Sequence, residues 1–310
     1  MNTVSNTASE TGIHSRGIAA PAWFATRPFT WSVQRELWEN RYLYLAPVAV
    51  AGVFLVGFFI NLLYLAFRLR AGMALDPAQQ RAQFELPYNI VSGLVMGTTV
   101  ILQMVYCLDC LCGERRDRSI LFWKSAPVSD LTTVLSKATI PFLVLPLIGF
   151  GVTAISQLIV RLLTASVLSA SGVHVTTRWT EMSFILVSLM VLYHLVTAHS
   201  LWYAPIFGWL MLISSWARRA PFLWAALPPF AIWALEKTAF NTSYFADMLR
   251  YRVSGPERFD FVAPGSLGMD PLHHIHPGQF LNTPGLWIGL AFAVACLYAA
   301  ARLRRQHGPI

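Results

Sequence analysis

Three closely spaced cysteines are the first side chains in this sequence whose type suggests chemistry. Cys107, Cys110 and Cys112 stand near the end of a long apolar stretch, and their thiolates could bind a soft metal ion. On a helix, however, positions i, i+3 and i+5 do not converge on one face. Ordinary packing of small apolar side chains is the simpler interpretation, so no metal site is predicted here.

Histidines form the second group that could do chemistry. His273, His274 and His276 lie in a polar stretch between two prolines, whereas His194 and His199 lie within an apolar run. If three of these imidazoles converged, the chain could be an intramembrane metal-dependent enzyme, and this alternative stays open. The simpler interpretation is that the first three histidines lie in an exposed loop turn. The other two would then fill a polar gap between helices.

Catalytic signatures are otherwise missing from the sequence. There is no G-x-x-x-x-G-K-[ST] loop for a nucleotide, no H-E-x-x-H zinc helix and no G-x-S-x-G nucleophile turn. We therefore predict no catalytic residue, no cofactor held by this chain and no enzymatic activity.

The composition indicates a membrane protein. Of the 310 residues 55% are hydrophobic and 12% are charged, whereas soluble chains carry about 25% charged residues. The net charge of +8 is interpreted as membrane topology, because no basic run interleaved with aromatics predicts nucleic-acid binding. Residues 1–28 are small and polar with no apolar central region, which predicts a disordered cytoplasmic N-terminus and no signal peptide.

The fold class predicted is an all-α integral membrane protein with six transmembrane helices. An amphipathic helix from residue 29 to residue 42, with Trp31 and Trp38 on its apolar side, is expected to lie in the membrane interface before the first span. Gly93 and Gly97 form a small-x-x-x-small face that allows another helix to approach closely. Lengths of the apolar runs predict spans at about 43–67, 88–112, 137–163, 182–214, 221–237 and 284–302.

A short charged segment between the second and third spans, Gly113–Asp130, stands out. Its sequence is GERRDRSILFWKSAPVSD: mixed charges, then Phe122 and Trp123, then a helix-start signal at Ser129 and Asp130. Mixed charge beside exposed aromatics is typical of a protein docking surface, although a plain positively charged loop stays open as the alternative. Lys and Arg concentrate in the short segments on this side, which predicts that both termini and this segment are cytoplasmic.

Two stretches resemble the permease subunit of ABC type-2 exporters. One is GERRDRSILFWKSAPVSD followed by LTTVLSKATIPFLVLP, and the other is WYAPIFGWLMLISSWARRAPFLWAALPP, from Trp202 to Pro229. The resemblance covers residues 29–310 and implies a six-span ABC type-2 transmembrane domain in the bacterial cytoplasmic (inner) membrane. It implies a partner ATP-binding subunit, which would hold ATP and magnesium, and pairing with a second permease copy or a sibling.

The resemblance also implies roles for individual residues. The segment between spans two and three would be the cytoplasmic coupling helix that contacts the partner ATPase. The interfacial helix would be the family's connecting helix and touch the same subunit. The candidates to line a translocation path are Asn61, Gln103 and His194. The implied coupling residues are Glu114, Arg115, Arg116, Asp117, Arg118, Phe122 and Trp123, and those of the connecting helix are Arg35, Glu36, Trp38 and Glu39.

On this basis the chain is expected to couple ATP hydrolysis by its partner to substrate export. Without a nucleotide site of its own, it would receive movement at the charged segment. A third possibility is a membrane anchor for a cytoplasmic complex. The substrate cannot be inferred, because no short motif in the sequence specifies one.

Overall fold

The computed structural model describes residues 22–70, 86–117, 129–171, 184–254 and 280–306. These residues form eleven α-helices and two π-helical segments and include no β-strand. The all-α prediction is therefore confirmed for this part of the chain. Several of the helices are long and apolar, which supports a multi-pass membrane protein.

The first two helices are separated by a short turn. Helix α1 spans Ala22–Glu39 and α2 spans Tyr42–Arg70. Asn40 ends α1 by donating from both its backbone N–H and its side-chain amide to the carbonyl of Glu36. Helix α1 begins seven residues before the expected start at residue 29, so the end of the segment predicted to be disordered is helical.

The middle of the chain carries the charged segment. Helix α3 (Leu86–Asp109) leads through a tight turn into the short α4 (Cys112–Arg116). After residues 118–128, which lie outside the described residues, α5 (Asp130–Thr139) begins where the sequence predicted. The Ser129 hydroxyl accepts a hydrogen bond from the Thr132 N–H at 3.1 Å and so caps it.

Two π-helical segments interrupt the following spans. The first, π1 (Ile140–Val144), contains Pro141, whose missing N–H removes one helical hydrogen bond, and α6 (Leu145–Ser171) follows. The second, π2 (Leu195–Trp202), joins α7 (Phe184–His194) to α8 (Ala204–Trp216). The chain bends by 48° between π2 and α8. The predicted fourth span is thus interrupted, as in a broken span or a re-entrant loop.

Three helices complete the described chain. They are α9 (Pro221–Ala239), α10 (Tyr244–Ser254) and α11 (Pro284–Gln306). Helix α9 is apolar around its circumference, and Ala225 is its one buried residue among those described. It therefore lies at the edge of the bundle rather than within it.

The described residues contain fewer candidate spans than the six predicted, so the count of six stays a prediction. By length and composition, four stretches of the described chain could cross a membrane, and five if the bent pair is one span. Helix α9 is not among them, since Pro228, Pro229, Glu236 and Lys237 lower its hydropathy. The four stretches are Tyr42–Phe67, Leu86–Arg116, Asp130–Val167 and Pro284–Gln306.

Helices α8 and α11 pack against one another more extensively than any other pair of described elements. Their close approach depends on Gly208, because a Cβ at that position would lie 2.9 Å from the Cα of Ala293. By contrast, the predicted approach site at Gly93 and Gly97 has no heavy atom of a neighbour within 4 Å of either Cβ position. Among the described glycines of this chain, the close approach to another helix's backbone is therefore at Gly208.

Candidate functional site at the charged end of α11

Five ionisable side chains from four separate helices meet at one end of the bundle. They come from α1, α4, α5 and the last turns of α11, and we call them the ionic cluster. Four of the five side chains are at most 8% exposed, and Asp130 is 25% exposed. The members are Glu36, Glu114, Asp130, Lys137 and Arg304.

Each charge in the ionic cluster has partners of opposite sign. The Lys137 ammonium lies 2.5 Å from a Glu36 oxygen and 3.1 Å from Glu114 Oε1. Arg304 reaches Glu114 Oε2 through Nη1 at 2.5 Å and Asp130 Oδ1 through Nε at 3.2 Å. The Tyr106 hydroxyl donates to the second oxygen of Glu36 at 2.8 Å. Burying a charge is costly unless the charge is paired and hydrogen-bonded. These contacts offset that cost for the buried members of the ionic cluster.

The ionic cluster fixes both ends of the charged segment. Glu114 precedes residues 118–128 in the chain and Asp130 follows them, and the same guanidinium of Arg304 binds both. Lys137 adds α1 to this arrangement through Glu36. The described ends of the segment are therefore tied to α1 and α11.

Arg115 has a separate buried role. Its Nη2 donates to the carbonyl of Ser214 at 3.0 Å and to that of Ala217, both at the end of α8. The Ser214 hydroxyl in turn accepts the backbone N–H groups of Leu111 and Cys112 at 3.1 and 3.0 Å. These bonds satisfy the carbonyls that a helix leaves unpaired at its C-terminus, and they lock α4 across α8.

The expectation for Glu114 and Arg115 therefore needs correction. Both were predicted to face a partner, but their side chains are buried inside the chain. Their partners, Arg304 and the carbonyls at the end of α8, lie far away in the sequence. Arg116 and Asp117 do reach the surface, with side chains 66% and 68% exposed. Arg118, Phe122 and Trp123 lie outside the described residues.

Helix α1 presents two different faces. Glu36 turns inward to the ionic cluster, and Leu37 packs partly against the core beneath it. Trp31 and Trp38 are 62% and 65% exposed on the outer side. Such a stripe suits the level of lipid headgroups. Two further expected residues form an exposed pair, in which Arg35 Nε lies 2.6 Å from Glu39 Oε1.

The three residues proposed to line a path have different surroundings. Asn61 is exposed on α2. Gln103 is fully buried and donates from Nε2 to the carbonyl of Pro141 at 2.6 Å, so it joins α3 to π1. His194 is partly buried, with its ring centre 5.8 Å from that of His199. These contacts place the three in separate environments.

No metal centre is found in the part of the chain that the structure describes. Within it, no three or more His, Cys, Asp and Glu side chains are grouped so that they could hold a metal ion. Cys107, Cys110 and Cys112 are buried free thiols. His273, His274 and His276 lie outside the described residues.

A second arginine site, at the opposite end of α11, was not anticipated from the sequence. Arg252 of α10 donates to the carbonyl of Gly285 at 2.7 Å and to that of Trp202 at 3.2 Å. Its guanidinium carbon lies 4.5 Å from the centre of the Trp202 ring, a cation–π contact. We call this set of contacts the arginine clamp. Its one sequence signal is Gly289, where a Cβ would come within 2.5 Å of Arg252 Nη2.

Backbone contacts strengthen the arginine clamp. The Trp202 indole donates to the carbonyl of Arg252 and the Tyr203 hydroxyl to that of Val253, each at 2.9 Å. Burial lowers the pKa of Arg252, although a guanidinium remains charged at neutral pH. Together these bonds fasten α10 to the break between π2 and α8.

Both arginine sites are suited to joining helices, because each guanidinium bonds groups on two other helical elements. Each site holds the end of one helix against other helices through charge and hydrogen bonds. Comparison of the sequence with protein-family models and with curated proteins, and of the structure with solved structures, found no match.

Proposed function

We propose that this chain is the transmembrane permease subunit of an ATP-driven ABC type-2 exporter. A partner subunit hydrolyses ATP, and the permease pairs with a second copy or a sibling in the bacterial inner membrane. It crosses the bilayer six times, with the bent pair as the fourth span and α9 as the fifth. Both termini then lie in the cytoplasm.

The observation that carries this proposal is the ionic cluster. A permease without a nucleotide site must receive work from another protein, through an element that does not yield locally. Glu114 and Asp130 hold the two flanks of residues 118–128 to one guanidinium, that of Arg304. A partner that moves this segment therefore also moves α5 and α11. This arrangement is what a site of mechanical input requires.

The burial of Glu114 and Arg115 divides the charged segment by role. These two residues anchor the segment within the permease. Arg116 and Asp117 reach the surface and in the proposal contact the partner, as does the exposed pair of Arg35 and Glu39 on α1. In the proposal Arg118, Phe122 and Trp123 belong to the same docking surface. The mixed signs of the exposed charges favour a partner surface that also carries both signs.

Helix α9 supports the membrane part of the proposal. It exposes Phe230, Ile232, Trp233 and Leu235 at 41–67% of their surface. Apolar area of this kind is stable against lipid tails or against an apolar helix of a second permease, but not in water. We propose that lipid and the second copy share this surface.

The test is purification of the chain from its native membrane, with the bound proteins identified and ATP hydrolysis measured. We expect an ATP-binding subunit to co-purify. The double charge reversal Arg116→Glu, Asp117→Arg should release it, whereas Arg302→Glu, an exposed arginine of α11, should not. Failure of the wild-type chain to retain an ATP-binding subunit would refute the proposal. A retained cytoplasmic partner without ATP hydrolysis would instead indicate a membrane anchor.

A further inference from the structure

We propose that α11 mechanically couples the two ends of the molecule, so that a displacement at the ionic cluster changes the position of α10. Arg304 and Arg252 are the positioning residues at its two ends. This inference goes beyond the proposed function because the coupling belongs to the isolated chain. Only its use in transport rests on the proposed function.

At the first end, Arg304 commits α11 to the ionic cluster. Its side chain is 4% exposed and its guanidinium bonds two carboxylates, one near each end of the charged segment. If Arg304 moved away, Glu114 would lose a charged partner in a buried site, which is strongly unfavourable. The end of α11 must therefore follow the charged segment.

Between the two ends, α11 is a stiff element. It is a continuous helix whose one proline, Pro284, is its first residue. From Gly285 to Arg304 it spans about 29 Å at 1.5 Å per residue. The contact of Gly208 with the Ala293 backbone presses α11 onto α8 without an intervening side chain. Close-packed helices move together because the contact has no slack to absorb a displacement.

At the second end, the arginine clamp transfers this movement to α10. Arg252 bonds the first turn of α11 at Gly285 and the end of π2 at Trp202, so it senses α11 and the α8 break together. Gly289 leaves the space in which the guanidinium lies. A shift of α11 along its axis therefore carries Gly285 and pulls on the C-terminal end of α10.

The opposite end of α10 is fastened to a different helix. The Glu236 carboxylate on α9 accepts the backbone N–H groups of Tyr244 and Phe245 at 2.6 and 2.9 Å, and so caps α10. Helix α10 is thus held by α9 at its start, and at its end by α11 and by the break between π2 and α8. Movement of α11 relative to α9 must tilt or strain α10. A displacement at the ionic cluster is therefore expected to be detectable in α10.

The experiment measures amide hydrogen exchange in α10 after a change about 29 Å away. Arg304→Gln, compared with wild-type chain in lipid nanodiscs without ATP or partner, should raise exchange in Tyr244–Ser254 about five- to tenfold, a usual size for coupling between sites. Arg302→Gln is the matched control, since Arg302 lies on the same helix, is exposed, and hydrogen-bonds Tyr298 rather than a member of the ionic cluster. It should leave α10 unchanged.

Coupling between two sites is reciprocal, which gives a second readout. Arg252→Gln should change exchange in α1 and α5 by a factor similar to that seen in α10. Arg250→Gln, at an exposed position of α10, should not. A merely local role for either arginine would not move the distant helix.

Misfolding is separated from uncoupling by two further variants. If Arg304→Gln does not fold, Arg304→Lys keeps the charge, and the double change Glu114→Gln, Arg304→Gln removes both partners. Each should still alter α10. Exchange changes confined to the ionic-cluster end, or an equal effect of Arg302→Gln, would overturn the inference. The absence of a co-purifying ATPase would refute only the proposed function, because this measurement uses neither ATP nor a partner.

Discussion

Arg304 and Glu114 form a buried ion pair across 190 residues of sequence, with Nη1 2.5 Å from Oε2. The pair closes the charged end of the bundle, because Lys137 binds the other oxygen of the same carboxylate. An arginine in the last turns of the final helix thereby determines where a segment between the second and third predicted spans lies. Stability and coupling consequently depend on the same side chain.

Replacing Arg304 with methionine should destabilise the chain by about 3–5 kcal/mol, since it removes one of the two charged partners of the buried Glu114 carboxylate. Arg302→Met is the control. It loses an exposed contact with Tyr298 and should cost less than about 1 kcal/mol. Unfolding in detergent with increasing denaturant measures both. Equal losses in the two variants would contradict a special role for the ionic cluster.

Arg115→Gln should destabilise the fold without acting on the partner directly. It leaves the carbonyls of Ser214 and Ala217 without their charged donor, which costs about 1–3 kcal/mol. Arg116→Gln, one residue later and exposed, should leave stability unchanged and weaken partner retention. Thermal unfolding and co-purification measure the two effects. The division of roles fails if both variants lose stability equally.

Glycine-to-alanine changes should separate the helix contact from helix propensity. Gly208→Ala places a Cβ against the Ala293 backbone and should cost about 1–3 kcal/mol. Ala293→Gly should not rescue it, because the clash is with the Cα of that residue. Gly52→Ala, with no neighbour within 4 Å of its Cβ position, should stabilise α2 by roughly 0.5–1 kcal/mol. A Gly208→Ala protein as stable as wild type would disprove the close contact of α8 and α11.

A measurement of membrane topology tests whether α9 crosses the bilayer. With six spans, tags at residue 3 and after residue 308 both report the cytoplasm, and a reporter at Asn241 reports the outside. With five spans, in which α9 does not cross, the two ends of the chain fall on opposite sides and Asn241 lies on the side reached before α9. Accessibility of single introduced cysteines to an impermeant thiol reagent measures all three positions.

Local patterns in the sequence predicted local structure well. The apolar runs predicted an all-helical chain, and Ser129 with Asp130 predicted the start of α5. Composition and capping act within a few residues, which is why they are readable from sequence alone. The same patterns could not distinguish four or five spans from six, because α9 mixes apolar residues with prolines and terminal charges.

Long-range partners were beyond this kind of reasoning. The charged segment was found by its composition, but the burial of Glu114 follows from Arg304, which the sequence indicated only as a positive-inside charge. Likewise, Gly93 and Gly97 have the spacing of a close helix approach, whereas the approach occurs at Gly208. Which glycine meets a backbone depends on how helices are arranged in three dimensions. A one-dimensional pattern does not contain that arrangement.

The order of synthesis gives Arg304 one more consequence. A ribosome makes it 174 residues after Asp130, which at common translation rates takes roughly 10–35 s. Throughout that interval Glu114 and Asp130, near the two ends of the charged segment, lack their common counter-ion Arg304. The ionic cluster can therefore be completed only after α11 has been made.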